Sequence, residues 1–387
     1  MNKLFSGSMM ALAIGAISFS ACTQPKQEET ATASGLYRSN FQTTQDGKQT
    51  DLYVLTNPAG MEVCLTNFGG RIVSIMVPDK NGAWQDVCLG HDSIADYIKY
   101  GYEGCNFGAL IGRYGNRIGN SRFTLDGQEY QLIANNNGNC LHGGGEVAFH
   151  NRVWDAKLVD NQRLEFTTVS PDGEDGFPGE VSVKVTYELT DDNALEISYE
   201  ATTDKPTVLN LTNHCYFCLS GDPSRDMLDE ELYINADRYT PVDSFVAVTG
   251  EIASVEGTPF DFRKSTRVGD RIDDTSCEQI VNGKGYDHNW VLSTNGDIHQ
   301  LAASLYDSET GIRMDMYTDQ PGMQFYAGNF LDGSFMGKKG IAYPKRSAFC
   351  FETQHFPDSP NRPDFPSTVL RPGETYSTKT IYKFGLD

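Results

Sequence analysis

The chain has 387 residues, and its 52 acidic against 31 basic side chains give a formal net charge of −21. A surface of that sign repels nucleic-acid phosphates and anionic lipid headgroups, which argues against a nucleic-acid partner. The 38 glycines, 16 prolines, 19 tyrosines and 21 phenylalanines, with few long runs of helix formers, predict many short strands joined by turns.

The first residues have the pattern of an export signal. Lys3 precedes an apolar run over 9–19 that is too short to be a permanent membrane span, and small residues then lead to Cys22. This pattern resembles a bacterial lipobox, which implies a signal peptide over 1–21 and acylation of Cys22. The alternative is an ordinary secretory signal with a chance cysteine. Residues 22–35 are polar and predict a flexible tether to a periplasmic or cell-surface membrane.

The remaining residues, 36–387, are expected to be one domain because no composition break or internal repeat divides them. Period-two alternation over 181–189 and again from 195 to 199 predicts antiparallel strands with one solvated face. A helix signal appears only briefly, at 92–97. Further strands and one hairpin are predicted at 50–55, 62–67, 71–78, 123–132, 232–234, 301–306, 312–317, 324–326 and 378–384.

Nine cysteines occur in the chain, and eight remain once Cys22 is set aside. Their wide, irregular spacing predicts buried apolar residues, although the sequence leaves open whether any form disulfides. Cys215 and Cys218 have the spacing of a redox or metal pair, but no second pair accompanies them, so no metal site is predicted. A bound calcium ion would suit so acidic an exported protein, yet no loop has recognisable ligand spacing.

Several polar residues are candidates for ligand contact. Arg113 and Arg117 stand among glycines, where a guanidinium could bind hydroxyl or carboxylate oxygens, or could pair with a surface acid. His142 precedes three glycines, which favours either exposure to a substrate or a corner in the chain. Asp287 lies in a predicted polar and aromatic loop over 285–290, where it could hold sugar hydroxyls or form an Asx turn.

Two further residues could form an acid and base pair. His214 lies among short polar residues bordered by apolar ones, a setting in which an imidazole can donate a proton near neutral pH. Glu352 stands alone in a stretch without lysine or arginine between positions 346 and 362. The alternatives are a satisfied core histidine and a solvated glutamate.

Six motifs, taken in this order, resemble the aldose 1-epimerase (galactose mutarotase) family. They lie at 112–118, 141–144, 210–214, 286–289, 320–326 and 351–354. The resemblance extends from about residue 52 to the C-terminus. It implies an all-β fold, a large antiparallel β-supersandwich with few short helices and an open sugar cleft on the sheet face. It also implies interconversion of the α and β anomers of hexopyranoses such as glucose and galactose.

Carried over by position, the resemblance implies that Glu352 is the general base and His214 the general acid. The sugar would be bound and oriented by Asn116, Arg117, His142, Asp287 and Gln324. Trp290 and Cys215 stand where some relatives have phenylalanine and serine, which leaves the sugar preference open. No metal or redox cofactor is required, and a monomer acting on a small-molecule aldose is expected.

The residue types suit that chemistry, because ring opening removes a proton from the anomeric hydroxyl while a second group protonates the ring oxygen. Three other interpretations remain. A hexose-6-phosphate epimerase would need extra basic residues for the phosphate. A surface-tethered sugar-binding protein without turnover would not need both Glu352 and His214. A glycoside hydrolase needs two carboxylates about 5 to 9.5 Å apart, for which only Glu352 and Asp287 are candidates.

Overall fold

The computed structural model describes Met1, residues 29–100 and residues 105–387. The predicted signal peptide after Met1 and the tether as far as residue 28 lie outside the described residues. The folded unit begins at Ala31, before the predicted boundary at residue 36. Its first residues pack against the domain, since Ser34 and Leu36 are buried and the Ala33 amide donates to Glu62 Oε1 at 2.9 Å.

Short strands make up most of the regular structure, as the turn-rich composition predicts. In chain order they are β1 Thr44–Gln45, β2 Lys48–Gln49, β3 Leu52–Thr56, β4 Glu62–Thr66, β5 Arg71–Pro78, β6 Trp84–Asp86, β7 Ala109–Ile111, β8 Arg117–Ile118, β9 Arg122–Leu125, β10 Gln128–Gln131, β11 Cys140–Leu141, β12 Asp155–Leu158, β13 Arg163–Ser170, β14 Val181–Leu189, β15 Ala194–Thr203, β16 Thr207–Val208, β17 Thr212–His214, β18 Tyr216–Phe217, β19 Glu231–Ile234, β20 Arg238–Thr240, β21 Ala253–Ser254, β22 Thr266–Arg267, β23 Asp287–Val291, β24 Ala303–Tyr306, β25 Ile312–Thr318, β26 Gly322–Tyr326, β27 Phe349–Gln354, β28 Val369–Leu370 and β29 Tyr376–Leu386.

Helices are few and short. The described residues contain α1, Ile94–Tyr100, and α2, Glu278–Gly283. The first was predicted, and its start is capped by Ser93, whose Oγ accepts the Asp96 amide at 3.1 Å. The second was not predicted, because a single turn shows no helical periodicity. Short 3-10 turns lie at Arg38–Phe41, Gly119–Ser121, Phe149–Asn151, Glu174–Gly176, Val268–Asp270, Lys338–Gly340 and Ser359–Asn361. No helix in the described part of the chain has the length and apolar character to cross a membrane.

Three antiparallel sheets form the body of the domain. The nine-stranded sheet has the order β12-β13-β14-β15-β29-β25-β24-β19-β22. The six-stranded sheet has the order β18-β27-β26-β23-β20-β21, and the four-stranded sheet runs β3-β4-β5-β6. The remaining strands form pairs. This architecture confirms the predicted all-β antiparallel fold.

The alternation of apolar and polar residues that predicted β14 gives the strand one buried face and one solvated face. Val181, Val183 and Val185 are buried, whereas Ser182 is exposed and Lys184 partly so. The buried face carries Tyr187, whose hydroxyl donates to the Gly70 carbonyl at 2.8 Å and so links the nine-stranded sheet to the end of β4-β5. The eight cysteines in the described residues are free. Six of them are buried, which confirms the prediction that most are buried apolar residues.

The six-stranded sheet separates an aromatic core from a polar surface. On one face Phe325, Phe349 and Phe351 pack together, with ring centroids 5.4 Å apart for Phe325 with each of the other two. The opposite face of β23, β26 and β27 carries polar side chains. The prediction of a loop over 285–290 was therefore wrong, since Asp287 begins β23 and the segment lies inside the sheet.

Candidate active site

The polar face of the six-stranded sheet forms the floor of a cavity of about 360 Å³. This volume lies within the range of small-molecule pockets, about 300 to 1,000 Å³. All seven residues that the resemblance singled out line it: Asn116, Arg117, His142, His214, Asp287, Gln324 and Glu352. The seven residues therefore form one connected site, although they come from segments as much as 200 positions apart or more.

Strand register explains why three of these residues meet. Gln324 on β26 lies directly opposite Glu352 on β27 and also opposite Asn289 on β23. Cross-strand partners point to the same face, and so do residues two apart on one strand. Asp287, two residues from Asn289, therefore joins the same polar face. Its Oδ1 accepts a hydrogen bond from Gln324 Nε2 at 2.7 Å.

His214 reaches this floor from the end of β17, which pairs with β7 through His214 and Ala109. Its Nε2 lies 3.7 Å from Glu352 Oε1, and the exposed fractions of the two side chains are 8% and 3%. On the other side of the ring, Nδ1 lies 3.5 Å from Cys350 Sγ. The ring stacks on Tyr216, with centroids 5.0 Å apart. The proposed acid and base therefore face each other within one pocket.

Asn116, Arg117 and His142 are positioned by the short β8-β11 pair. Leu141 lies opposite Arg117, so His142 follows directly into the pocket. Two hydrogen bonds then lock the pair of segments, because the His142 amide donates to the Asn116 carbonyl at 3.0 Å and the Asn116 amide donates to His142 Nδ1 at 3.2 Å. A backbone amide can only donate, so the neutral His142 ring carries its proton on Nε2.

The glycine after His142 has a steric role. Gly143 has a φ of +86°, and a Cβ there would lie 2.1 Å from the Gly112 carbonyl oxygen. The chain turns a corner at this position, as one of the two alternatives predicted, and the imidazole of His142 lines the cavity. Arg113, in contrast, does not reach the cavity, since its guanidinium is buried against Ser170, Pro171 and Pro178.

Burial shifts the pKa of the acid and base in opposite directions. Burial lowers the pKa of His214 to about 4, although a backbone hydrogen bond partly offsets this effect. Burial, reinforced by the nearby Asp287 carboxylate, raises the pKa of Glu352 well above its usual range, and Arg117 opposes that rise. Burial likewise raises the pKa of Asp287, against the pull of Arg117 and Gln324. The pocket thus favours the neutral form of each partner.

The donor atoms of His142, His214 and Glu352 lie within 4.8 Å of one another, a spacing that could surround a metal ion. The hydrogen bonding at His142 does not fit that use. Its Nδ1 lone pair already accepts the Asn116 amide, so Nε2 carries a hydrogen and offers no lone pair to a cation. The cluster is better suited to donating and accepting protons.

Two polar atoms on the pocket floor have no hydrogen-bond partner among the described residues. They are Glu352 Oε2 and Gln324 Oε1, both buried. A buried oxygen without a hydrogen-bond partner costs folding free energy, so these two oxygens can each accept a hydrogen bond from a hydroxyl group of a ligand. Together with Arg117 and the Nε2 proton of His142, they provide donors and acceptors suited to the hydroxyls of a sugar.

Two residues expected to influence sugar preference lie elsewhere. Trp290 is fully buried and faces the aromatic core, with its Nε1 donating to the Phe260 carbonyl at 3.1 Å. Cys215 is also buried and does not line the cavity. Trp290 therefore faces away from the cavity, because alternate residues of β23 point to opposite faces.

The sequence analysis missed other residues of the cavity. Tyr216 and Tyr326 line the cavity and stand two positions from His214 and Gln324, so strand alternation could have placed Tyr326 on the same face as Gln324. The rim residues Asn136, Phe245, Lys284 and Phe330 come from loops and from the end of α2. No periodic signal in the sequence marks them.

Comparison with known proteins identifies the family of the chain. The family model described as aldose 1-epimerase matches residues 51–383. Galactose mutarotase from Bos taurus is 43% identical over 327 residues, which cover 84% of this chain and 92% of that protein. Aldose 1-epimerase from Escherichia coli K12 is 39% identical over 341 residues, covering 88% of this chain and 96% of that protein.

Solved structures show the same fold. A GalM/aldose epimerase homologue from C. elegans superposes with a TM-score of 0.80 at 31% identity, covering 87% of this chain and 99% of that one. Galactose 1-epimerase from Lactobacillus acidophilus gives a TM-score of 0.76 at 30% identity, covering 89% and 97%. The resemblance seen in six motifs thus extends over nearly the whole described domain.

Proposed function

The chain belongs to the aldose 1-epimerase family, and from that premise we propose how its pocket interconverts the α and β anomers of hexopyranoses such as galactose and glucose. The observation that carries the proposal is the approach of His214 Nε2 to within 3.7 Å of Glu352 Oε1 on the floor of one cavity. This spacing leaves an acid and a base beside neighbouring oxygens of a single sugar ring.

Glu352 is the base and His214 the acid for ring opening. Glu352 removes the proton of the anomeric hydroxyl, and the electron pair of that O–H bond becomes the carbonyl π bond. The bond between C1 and the ring oxygen breaks, and its electron pair takes a proton from His214 Nε2. Rotation about the bond from C1 to C2 then presents the other face of the aldehyde. The reverse steps, with the roles exchanged, close the ring as the other anomer.

The buried setting favours this proton exchange. Before ring opening the pair consists of a carboxylate and an imidazolium, and afterwards of a carboxylic acid and a neutral imidazole. Burial lowers the pKa of His214 and raises the pKa of Glu352, so the second arrangement is the one that the pocket stabilises. The net charge of the pair does not change during the step, which limits the desolvation cost.

The other polar residues bind and orient the sugar. Arg117 balances the charge of Asp287 and Glu352 and donates to sugar oxygens, while the Nε2 proton of His142 supplies another donor. Gln324 and Asp287, already hydrogen-bonded to each other at 2.7 Å, offer a fixed pair of polar groups to ring hydroxyls. Asn116 Oδ1 accepts the Arg117 amide at 2.8 Å and so fixes the segment that carries this arginine.

Polarimetry on freshly dissolved α-galactose and α-glucose tests the proposal. Glu352→Gln keeps the size of the side chain but removes the base, so we expect catalysed mutarotation to fall by about 10² to 10⁴ while sugar binding, followed by calorimetry, remains measurable. Glu230→Gln is the matched control, since Glu230 is also buried, binds the Leu219 amide and lies outside the cavity. Unchanged turnover in the Glu352 variant would remove this residue from the mechanism.

No metal or redox cofactor takes part in the proposed steps, because protons alone move between the sugar and the two side chains. Activity should therefore survive dialysis against a strong chelator, calcium chelators included. We further propose that the protein acts as a monomer, a state in which the cavity already contains all seven residues of the proposed site. Sedimentation equilibrium during turnover conditions checks this assignment.

The lipobox pattern supports an exported, lipid-anchored form of the enzyme. Cleavage after residue 21 and acylation of Cys22 would place the soluble domain beside a bacterial membrane. Labelling cells with radioactive palmitate tests this assignment, and Cys22→Ser should abolish incorporation. If the wild-type protein takes up no label and fractionates as a soluble protein, the anchor is absent.

A further inference from the structure

The Nδ1 atom of His214 has a contact that the ring-opening steps do not use. Cys350 Sγ lies 3.5 Å from it, on the side of the imidazole away from Glu352. Cys350 is fully buried and stands two residues before Glu352 on β27, where it pairs with Tyr216 on one side and Tyr326 on the other. The thiol is therefore held on the pocket face of the sheet by strand register.

The proposed chemistry requires that Nδ1 of His214 stays protonated. Since Nε2 must both give and take the exchanging proton, the second proton of the ring has to remain on Nδ1 in every state of the cycle. A buried N–H that is always present needs an acceptor. The backbone carbonyl of His214 itself accepts the Gly108 amide at 3.0 Å, and its second lone pair can also accept from the ring. Among the side chains of the described residues, the sulfur of Cys350 lies within hydrogen-bonding distance of Nδ1.

We propose that Cys350 is the positioning residue of the general acid, accepting the Nδ1 proton of His214 so that Nε2 faces Glu352 and the ring oxygen of the sugar. This inference rests on the proposed role of His214. Sulfur is a weak acceptor, so it sets the direction of the ring without stabilising the imidazolium as a carboxylate would. Burial raises the pKa of Cys350 well above its usual range, so the sulfur is an uncharged thiol.

The two histidines of the pocket are thereby assigned different functions. At His142 a backbone amide donates to Nδ1, which fixes the proton on Nε2 and makes that nitrogen a permanent donor. At His214 the proton is fixed on Nδ1, and Nε2 is free to exchange. Rings whose centroids lie 5.2 Å apart thus hold opposite tautomers because their Nδ1 partners differ.

Three substitutions of Cys350 distinguish its role in orienting the His214 ring from its role in packing. In Cys350→Ser a hydroxyl oxygen replaces the acceptor, so we expect kcat to stay near the wild-type value. Cys350→Ala removes the acceptor, and Cys350→Val removes it while filling the space. Both should lower kcat by about 10-fold to 100-fold with KM little changed. Cys218→Ala is the control, because that buried thiol contacts Ser220 and Met227 outside the cavity. Full activity in the valine variant would overturn the proposal, since packing alone would then suffice.

A second measurement does not depend on activity. Histidine nitrogen-15 shifts in the labelled wild-type protein report the tautomer of His214, with the signal assigned by its loss in His214→Asn. We expect the Nδ1–H form in the wild type and a shift towards the Nε2–H form in the alanine variant. An Nε2–H tautomer in the wild type would overturn the proposal even if the variants fold poorly. Absence of mutarotation in the wild-type protein would instead refute the proposed function, and the tautomer would still be read.

Discussion

At the scale of the residue, the acid and base must be considered as one titrating unit. His214 and Glu352 lie 3.7 Å apart, and in the productive range of pH they share one exchangeable proton. The lowered pKa of His214 and the raised pKa of Glu352 widen that range in both directions. Activity should accordingly persist over a broad interval around neutral pH.

The pH profile of kcat/KM, corrected for spontaneous mutarotation, should be bell-shaped. Below about pH 4 both partners are protonated and no base remains, because the pKa of His214 is lowered to about 4. Above the raised pKa of Glu352 the shared proton is lost and no acid remains. The His214→Asn variant should lose most of its activity. Its remaining kcat/KM should rise with pH in a single step, since only ionisation of Glu352 would affect it. A bell with wild-type limbs in that variant would contradict the role of His214.

Asp287 offers a separate test of the same electrostatics. Its carboxylate contributes to the raised pKa of Glu352, so Asp287→Asn should lower that pKa and move the alkaline limb of the profile to lower pH. KM should rise as well, because a sugar contact is altered. Asp226→Asn, which changes an exposed carboxylate, is the control and should leave the profile unchanged. An alkaline limb that stays in place would show that Asp287 does not act on Glu352.

At the scale of the element, β27 carries function on one face and stability on the other. Glu352 lines the cavity and Cys350 lies on the same face of the strand, whereas Phe351 between them is fully buried in the aromatic core. A one-residue slip of the strand would exchange these faces, so the hydrophobic pattern that stabilises the sheet also holds the acid and base in register.

Substitutions on the two faces of β27 should therefore affect different properties, with one lowering stability and the other lowering activity. Phe351→Ala leaves a cavity beside Phe217 and Phe325 and should lower the free energy of unfolding by about 3 to 5 kcal/mol. Glu352→Gln should lower activity by about 10² to 10⁴ without lowering the free energy of unfolding, since a buried carboxyl with a raised pKa contributes no stabilising charge at neutral pH. Urea unfolding monitored by tryptophan fluorescence measures both. Equal losses in the two variants would contradict this division of β27.

The sequence predicted the elements better than their connections. Strong alternation placed β14 and β15, and the bounds of β25 and β26 differ from the predicted ones by at most two residues. Asp287 was selected correctly as a site residue but placed in a loop, because the polar run that includes His288 and Asn289 does not show the hydrophobic alternation of a strand. His288 lies on the aromatic side, with its ring 4.6 Å from that of Phe260, so its polarity concealed a core position.

At the scale of the whole molecule, the site is a product of long-range pairing. Glu352, Gln324 and Asp287 come from neighbouring strands of one sheet, but His214 and Arg117 arrive through two separate strand pairs. No local sequence signal reports such meetings, which explains why residue chemistry suggested the acid and base while only the family resemblance joined them. Because the site residues meet only through these distant strand pairings, unfolding of the domain should abolish the site at the same time.

Acid should unfold the whole domain through its buried histidines. Burial lowers the pKa of His91 and His214 to about 4 and that of His150 and His288 to about 3. In the unfolded chain the same groups titrate near the ordinary value of about 6.5, so between these limits the unfolded state binds more protons. The free energy of unfolding therefore decreases as the pH falls from about 6.5, by about 1.4 kcal/mol per pH unit for each such histidine.

His91 gives the sharpest test, because it lies outside the cavity and its Nδ1 contacts the Met336 carbonyl at 2.9 Å. His91→Asn should lower stability at pH 7 through lost ring packing against Tyr97 and Tyr100, yet flatten the dependence of stability on pH by about 1.4 kcal/mol per unit. Urea unfolding at pH 7, 6 and 5 measures that slope. His299→Asn, at an exposed position, should retain the wild-type slope. If the His91 variant also retains it, the neutral state of that buried ring does not contribute to acid unfolding, and the carboxylates must account for the whole effect.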